Sequence, residues 1–328
     1  MKNALTRRCI TIGGVFIAGV LLVGLSPLWI ILGALADLIR GKFRLPIVRL
    51  LAFGTCYCWL EIAGVTMAGA LWIVGQSGRE SWHFAIQRWW STRVLAAVRV
   101  TCSLRVEIEG LDSLGNNPLV ALCRHASIAD ALTAGWVLSV GAKRNPRFVL
   151  KKELSFDPCL DVVGRRIPNY FVDRSAVNTQ VELAGIAEMA RGMTNSDVAI
   201  IFPEGTRTSS KKLQRALQKI RTKDPERAQR LGNLQYLLPP KPAGSAVLID
   251  AVPNADVVTV WHVGFDGLDN FRGMLRRLAI KEAACRVVLT RHARQTVPSG
   301  VAFAAWLDEQ WIEMDRKLSD VIAIRKMG

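Results

Sequence analysis

The sequence predicts an α/β fold, a mixed β-sheet flanked by helices, preceded by an N-terminal hydrophobic helical hairpin. Three observations predict it. Apolar or alternating runs of strand length recur between segments of helical spacing. Two long apolar runs occupy the first 80 residues. Polar segments able to do chemistry follow directly on two of the strand-like runs. The expected organisation is a membrane-embedded hairpin over residues 1–80 and a second domain over 81–328.

Cys9 to Ala36 carries no charge and exceeds the roughly 20 residues a helix needs to cross a bilayer core. Pro27 predicts a kink within it. The run is too long for a signal-peptide core, and no small-residue cleavage site follows it. After a basic hinge, Asp37 to Arg44, a second apolar run spans Leu50 to Val74, interrupted by Glu61. Cations flank the runs at Arg7 and Arg8, at Arg40, Lys42 and Arg44, and at Arg79, Arg88 and Arg93. A hairpin crossing twice would put the middle cluster on the far side, against the positive-inside bias. Glu61 would also stand in mid-span at a cost. A re-entrant hairpin in one leaflet relieves both problems; two true spans remain the alternative. Ser81 to Val98 interleaves Trp82, Phe84, Trp89 and Trp90 with Arg88 and Arg93. It reads either as a helix at the lipid interface or as a core helix of the following domain.

Beyond it, Leu104 to Gly110 alternates as a strand, and Val120 to Leu122 reads as a buried one. Helical spacing covers 129–140. Further strands are expected at 147–154, 170–172, 197–202, 256–263 and 286–290. Helices are expected at 175–193 and 298–322, the last with Phe303, Trp306, Trp311 and Leu318 on its buried side.

His125 therefore sits in a strand-to-helix turn and Asp130 in the first turn of a helix, with Ser127 between them. Removing a proton from a hydroxyl needs a base that titrates near neutrality, and imidazole does so unperturbed. A carboxylate can fix the ring's tautomer and support the imidazolium. Positions i and i+5 do not face each other on a helix, so the turn must bring His125 round. The spacing alone is a weak signal, but a second cluster accompanies it. The buried strand 197–202 runs into Pro203-Glu-Gly-Thr-Arg-Thr208. There Gly205 allows close backbone approach. Thr206 offers a hydroxyl, Arg207 a bidentate donor and Glu204 a carboxylate for a cation or a hydroxyl. Together they suit an anion. Arg174, at the end of the 170–172 strand, could fork onto a phosphate or form a surface salt bridge. His83, His262 and His292 have no carboxylate at motif spacing and read as structural.

Lys+Arg 43 against Asp+Glu 27 gives a net charge of +16, which calls for an anionic partner. The basic run from Ser209 to Leu238 lacks aromatic interleaving, a helix-turn-helix signature and an RNP-like strand. No nucleic-acid partner is expected, and the run reads as a solvated face or one resting on anionic headgroups. Lys211 or Lys212 could reach phosphates of a CoA donor. The seven cysteines show no CxxC pair and no zinc spacing, so reduced thiols and no bound metal are expected.

His125 and Asp130, followed by Phe202-Pro-Glu-Gly-Thr-Arg207, resemble the paired motifs of the glycerolipid acyltransferases, the lysophosphatidate acyltransferase superfamily. Lys152-Glu-Leu154, Gly164 and Phe171-Val-Asp-Arg174 are similar to that family's second motif. Leu237 to Pro242, Trp261 to Phe265 and Trp306 to Trp311 are similar to its lysocardiolipin and lysophospholipid acyltransferase branch. The resemblance covers roughly residues 85–320. Arg124 and Ala126 stand where the family has Asn and Gln, and Pro240-Lys241 replaces its Pro-Arg. These departures bear on acceptor preference.

The resemblance implies an enzyme that moves a fatty acyl group from acyl-CoA or acyl carrier protein to the free hydroxyl of a lysophospholipid. Lysophosphatidate is the favoured acceptor; a lysolipid with a larger headgroup, or a lyso-ornithine lipid, is the alternative. It also implies His125 as general base, Asp130 as its orienting partner, and Arg174, Glu204, Gly205, Thr206, Arg207 and Lys152 as acceptor-binding residues. No tightly bound cofactor is implied. The expected setting is the cytoplasmic face of an anionic membrane. A membrane-anchored lipid-binding protein without turnover is the non-enzymatic reading, against which an intact His125 and Asp130 argue.

Overall fold

The computed structural model describes residues 4–127, 129–173, 178–265, 271–279 and 283–327. Its first helices are α1 (Ala4–Gly24) and α2 (Ser26–Ile39), separated at Leu25. Pro27 lies in the opening turn of α2, and the helix is interrupted for one residue, Leu25, with the Leu25 N–H still bonded to the Leu21 carbonyl at 2.9 Å and the Trp29 N–H to the Leu25 carbonyl at 3.0 Å. Helix α3 (Pro46–Ile73) returns antiparallel to them: Phe16 meets Trp59 edge-on at 6.4 Å, and Gly33 faces Ile47 and Val48. The buried Asp37 closes the turn by accepting from the Ile47 N–H at 2.8 Å.

Helix α4 (Glu80–Cys102) runs back along α3. It buries His83, Phe84, Ile86, Val94 and Leu95, while Trp82 is exposed. Ser81 to Val98 is thus a core helix of the following domain rather than an interfacial one. Glu61 does not meet lipid: it is fully buried and accepts from Trp90 Nε1 and from the Cys159 N–H, both at 2.9 Å. Gly64 makes this approach possible, because a Cβ there would lie 2.6 Å from Cys159 Sγ. Arg49 reaches the Thr101 carbonyl, the Ser103 hydroxyl and the Leu278 carbonyl. One face of α3 therefore serves the rest of the chain. Large apolar side chains of α1 and α2, including Ile10, Ile17, Leu21, Ile31, Leu35 and Ile39, remain exposed. Helices α1 and α3 are long and apolar enough to cross a membrane.

The remainder is built from β1 (Leu104–Glu109), β2 (Leu119–Cys123), α5 (Asp130–Trp136), β3 (Asn145–Lys151), α6 (Pro158–Val162), β4 (Tyr170–Val172), α7 (Thr179–Ala190), β5 (Asp197–Ile201), α8 (Ser210–Arg221), α9 (Pro225–Arg230), α10 (Pro242–Ala251), β6 (Asp256–Val263), α11 (Phe271–Leu278), β7 (Ala283–His292) and α12 (Val301–Met327). Each strand expected from the sequence is present. Among the described residues they form one seven-stranded sheet in the order β1-β7-β6-β2-β5-β3-β4. Five neighbouring strands, from β6 to β4, run parallel; β7 is antiparallel to β6 and parallel to β1. The central strands β2, β5 and β6 are buried along their whole length, as continuous apolar runs covered on both faces should be. One face packs on Met189, Leu248, Phe303 and Trp311, the other on Ala134, Val137 and Leu138.

The start of the chain is pinned to this domain through Asp161, whose carboxylate is fully buried. Arg7 and Arg8 reach it at 2.7 and 2.9 Å, and Arg165 at 2.7 Å. Removing one partner of a buried ion cluster leaves like charges facing one another. Asp161→Ala should therefore cost about 3 kcal/mol, measured as a lowered thermal midpoint in detergent.

Candidate active site

The site begins at the carboxyl ends of β2 and β5, adjacent parallel strands whose register pairs Leu122 with Ile201. Two loops leave the sheet side by side there, one carrying His125, the other residues 202–208. Glu204 laces them together. Its buried carboxylate accepts from the His125 N–H at 2.7 Å, the Thr208 hydroxyl at 2.6 Å and the Leu238 N–H at 3.0 Å. Burial raises this carboxyl to about 7 against those three hydrogen bonds and the nearby charge of Arg124. The His125 carbonyl in turn accepts from the Thr208 N–H at 3.0 Å, and the His125 ring lies 4.9 Å from that of Phe202. Glu204, expected to bind the acceptor, thus has both oxygens engaged by the protein itself and shapes the site from within.

Asp130 opens α5, and the turn does bring His125 round to it. His125 Nδ1 lies 3.1 Å from Asp130 Oδ2, which also accepts from the N–H groups of Ala126 and Ser127. Ser127 donates its hydroxyl to Oδ1. Burial acts to raise the Asp130 carboxyl. The charge of His262 and the hydrogen bonds from His125, His262 and Ser127 outweigh it and hold the group well below the usual carboxylate range. An ionised Asp130 fixes the proton of His125 on Nδ1 and leaves Nε2 as the basic nitrogen. The ring is part-exposed, its side chain 19% accessible. Neither nearby nucleophile is available. Ser127 is wholly buried with its hydroxyl donating to Asp130, and the Cys123 thiol is pushed far up by burial and by the charge of Asp130.

Gly205 takes φ +72°, which suits glycine, and a Cβ there would lie 3.3 Å from Lys241 Nζ. Thr206 and Arg207 are half-buried, and Lys212 Nζ donates to the Thr206 hydroxyl at 3.0 Å and the Arg207 carbonyl at 2.9 Å. Cations from α8 and from Lys241 therefore gather at this loop. Lys152 is exposed and paired with Asp173 at 2.8 Å. Arg174 lies outside the described residues. Arg124, a departure from the family pattern, is buried and donates from Nη1 to the His262 carbonyl.

Two features had no clear sequence signal. A cavity of ≈ 450 Å³ starts at Ala129, beside Asp130, and extends between α3, α4, α5 and β3, with Phe53, Trp90, Val94, Leu132 and Phe148 on its walls. Its lining comes from segments far apart in the chain. The second feature is His262. Register on β6, adjacent and parallel to β2, sets it beside the His125 loop, and its Nε2 lies 3.0 Å from Asp130 Oδ1. No carboxylate stands at motif spacing from it in the sequence, as expected; the fold brings Asp130 to it. Among the described residues no group of histidine, cysteine and carboxylate side chains could hold a metal ion.

Residues 105–263 match the acyltransferase family model. No curated protein matches the chain. Among solved structures, the crystal structure of the 1-acyl-sn-glycerophosphate (LPA) acyltransferase PlsC from Thermotoga maritima aligns with 80% of this chain and 95% of its own at 15% identity, with a TM-score of 0.45. His125, Asp130 and the loop 202–208 all lie inside the stretch, residues 105–263, that is similar to the acyltransferase family.

Proposed function

We propose that the protein transfers a fatty acyl group from an acyl thioester to the free hydroxyl of a lysophospholipid, with lysophosphatidate as the preferred acceptor. The observation that carries this reading is the His125–Asp130 pair laced by Glu204 to the Thr206–Arg207 loop, with an apolar cavity lined by Ala129 and Ala131 on either side of Asp130 in sequence. A base, cations for a phosphate and room for an acyl chain meet at one place. His125 Nε2 takes the proton of the acceptor hydroxyl as its oxygen attacks the thioester carbonyl. Asp130 supports the imidazolium. The tetrahedral intermediate collapses, the C–S bond breaks, and the departing thiolate takes the proton back from His125. Transfer is direct, because Ser127 and Cys123 are both unsuited to hold the acyl group.

The cavity, within the size range of small-molecule sites, receives the acyl chain. Leu132→Trp should therefore shift the donor preference toward shorter chains, read as the product distribution from a mixed set of saturated acyl-CoA donors. The exposed apolar side chains of α1 and α2 enter one leaflet, while the polar face of α3 stays on the domain. This favours the re-entrant hairpin over two spans, with the site on the cytoplasmic face. The acceptor assignment is tested by offering oleoyl-CoA with lysophosphatidate, lysophosphatidylglycerol, lysocardiolipin and lyso-ornithine lipid to purified protein in detergent. Phosphatidate should dominate the products; preferential acylation of another lysolipid would overturn the acceptor while leaving the chemistry.

A further inference from the structure

His262 is a buried imidazole, 5% exposed, on a fully buried strand. Its Nε2 lies 3.0 Å from Asp130 Oδ1. The contact is a close approach to a carboxylate whose other oxygen faces His125. Asp130 therefore stands between two imidazoles, each at its own oxygen. Other groups among the described residues also stand near His262. Arg124 donates to its carbonyl, Arg277 donates to the Gly264 carbonyl at 3.0 Å, and the ring of Phe265 stands edge-on at 5.1 Å. Cys123 is buried close to Asp130. Among the described residues, Asp130 is the carboxylate paired with His262.

We propose that His262 is a positioning residue for acyl transfer, which holds Asp130 through Oδ1 and shares its negative charge with His125. The proposal rests on the acyltransferase reading given above. Two cations, or a cation and an N–H donor, on one carboxylate weaken each other's hold on it. His262 in either protonation state therefore draws charge from Asp130 that would otherwise stabilise the His125 imidazolium. With His262 in place, less of the Asp130 charge is left to support the His125 imidazolium.

The test is the pH–rate profile of His262→Gln against wild type, with lysophosphatidate and oleoyl-CoA. The acidic limb of kcat/KM should move to higher pH by about one unit, so that the rate on that limb falls about tenfold, while KM for the acceptor is unchanged. A uniform loss of rate with an unmoved midpoint would show a packing role and overturn the proposal. Histidine ¹³C NMR in detergent provides a readout that needs no turnover. The His125 ring resonance should titrate at higher pH in the variant, and an identical curve would also overturn the proposal. Should His262→Gln fail to fold, the wild-type spectra decide: His125 and His262 should each show two inflections at shared pH values, and two independent single-site curves would refute the coupling. A wild type that acylates nothing but shows the shared inflections would sink the acyltransferase reading and leave the coupling standing.

Discussion

His125→Ala should lower kcat for acyl transfer by about 10²–10⁴-fold, with KM for both substrates nearly unchanged and the thermal midpoint within a degree or two of wild type. The split follows from the geometry. His125 Nδ1 faces Asp130, which leaves Nε2 as the ring nitrogen to take a proton, so its loss removes a proton acceptor from the transition state. Its backbone N–H and carbonyl, which Glu204 and Thr208 hold, survive truncation to alanine. The loop should keep its path. A variant that kept wild-type turnover would place the base elsewhere. A variant that lost its fold would make the side chain structural.

Glu204→Ala should instead be felt first in stability. It strands the His125 N–H, the Leu238 N–H and the Thr208 hydroxyl, each buried or part-buried donors. At about 1–3 kcal/mol for each donor left unsatisfied, the loss should be at least about 3 kcal/mol. Activity should fall with it, because the two loops are no longer tied. Glu204→Gln keeps one acceptor oxygen and should lie between the two. The wild type should also show a pH signature. Burial raises this carboxyl in the folded state to about 7 from an ordinary value of 4.5, so the folded chain binds that proton more tightly than the unfolded chain. The stability it contributes is full below about 4.5 and is lost as pH rises through about 7. Denaturant melts across that window should show the decline in wild type and a flatter trend in Glu204→Gln.

The sheet was readable because its strands carry their own signal. β2, β5 and β6 are short unbroken apolar runs, and β1 alternates, so local pattern and final position agree. His125 and Asp130 were readable for a related reason: a strand end followed by a helix start fixes where their side chains stand. Other parts depend on long-range packing that no local window contains. Glu61 reads as a charge stranded in a span until Trp90 and Cys159 are brought against it. Helix α4 mixes tryptophans with arginines, a pattern that suits a membrane surface or a core equally. Glu204 reads as ligand-binding because it sits in a polar loop, yet its three partners come from three different loops. His262 lies far from Asp130 in sequence, and only the parallel pairing of β2 with β6 makes them neighbours.

The measurement that bears most directly on the acyltransferase assignment is a single-turnover reaction of the purified wild-type protein in lipid nanodiscs, with radiolabelled oleoyl-CoA and lysophosphatidate. Acid-quenched samples would be resolved into lipid, free thioester and protein-bound label. Direct transfer by His125 predicts that phosphatidate appears without a lag as the thioester is consumed, and that no label stays on the protein at any time. Label on the protein that precedes the lipid product, or thioester left unconsumed with every acceptor, would contradict it.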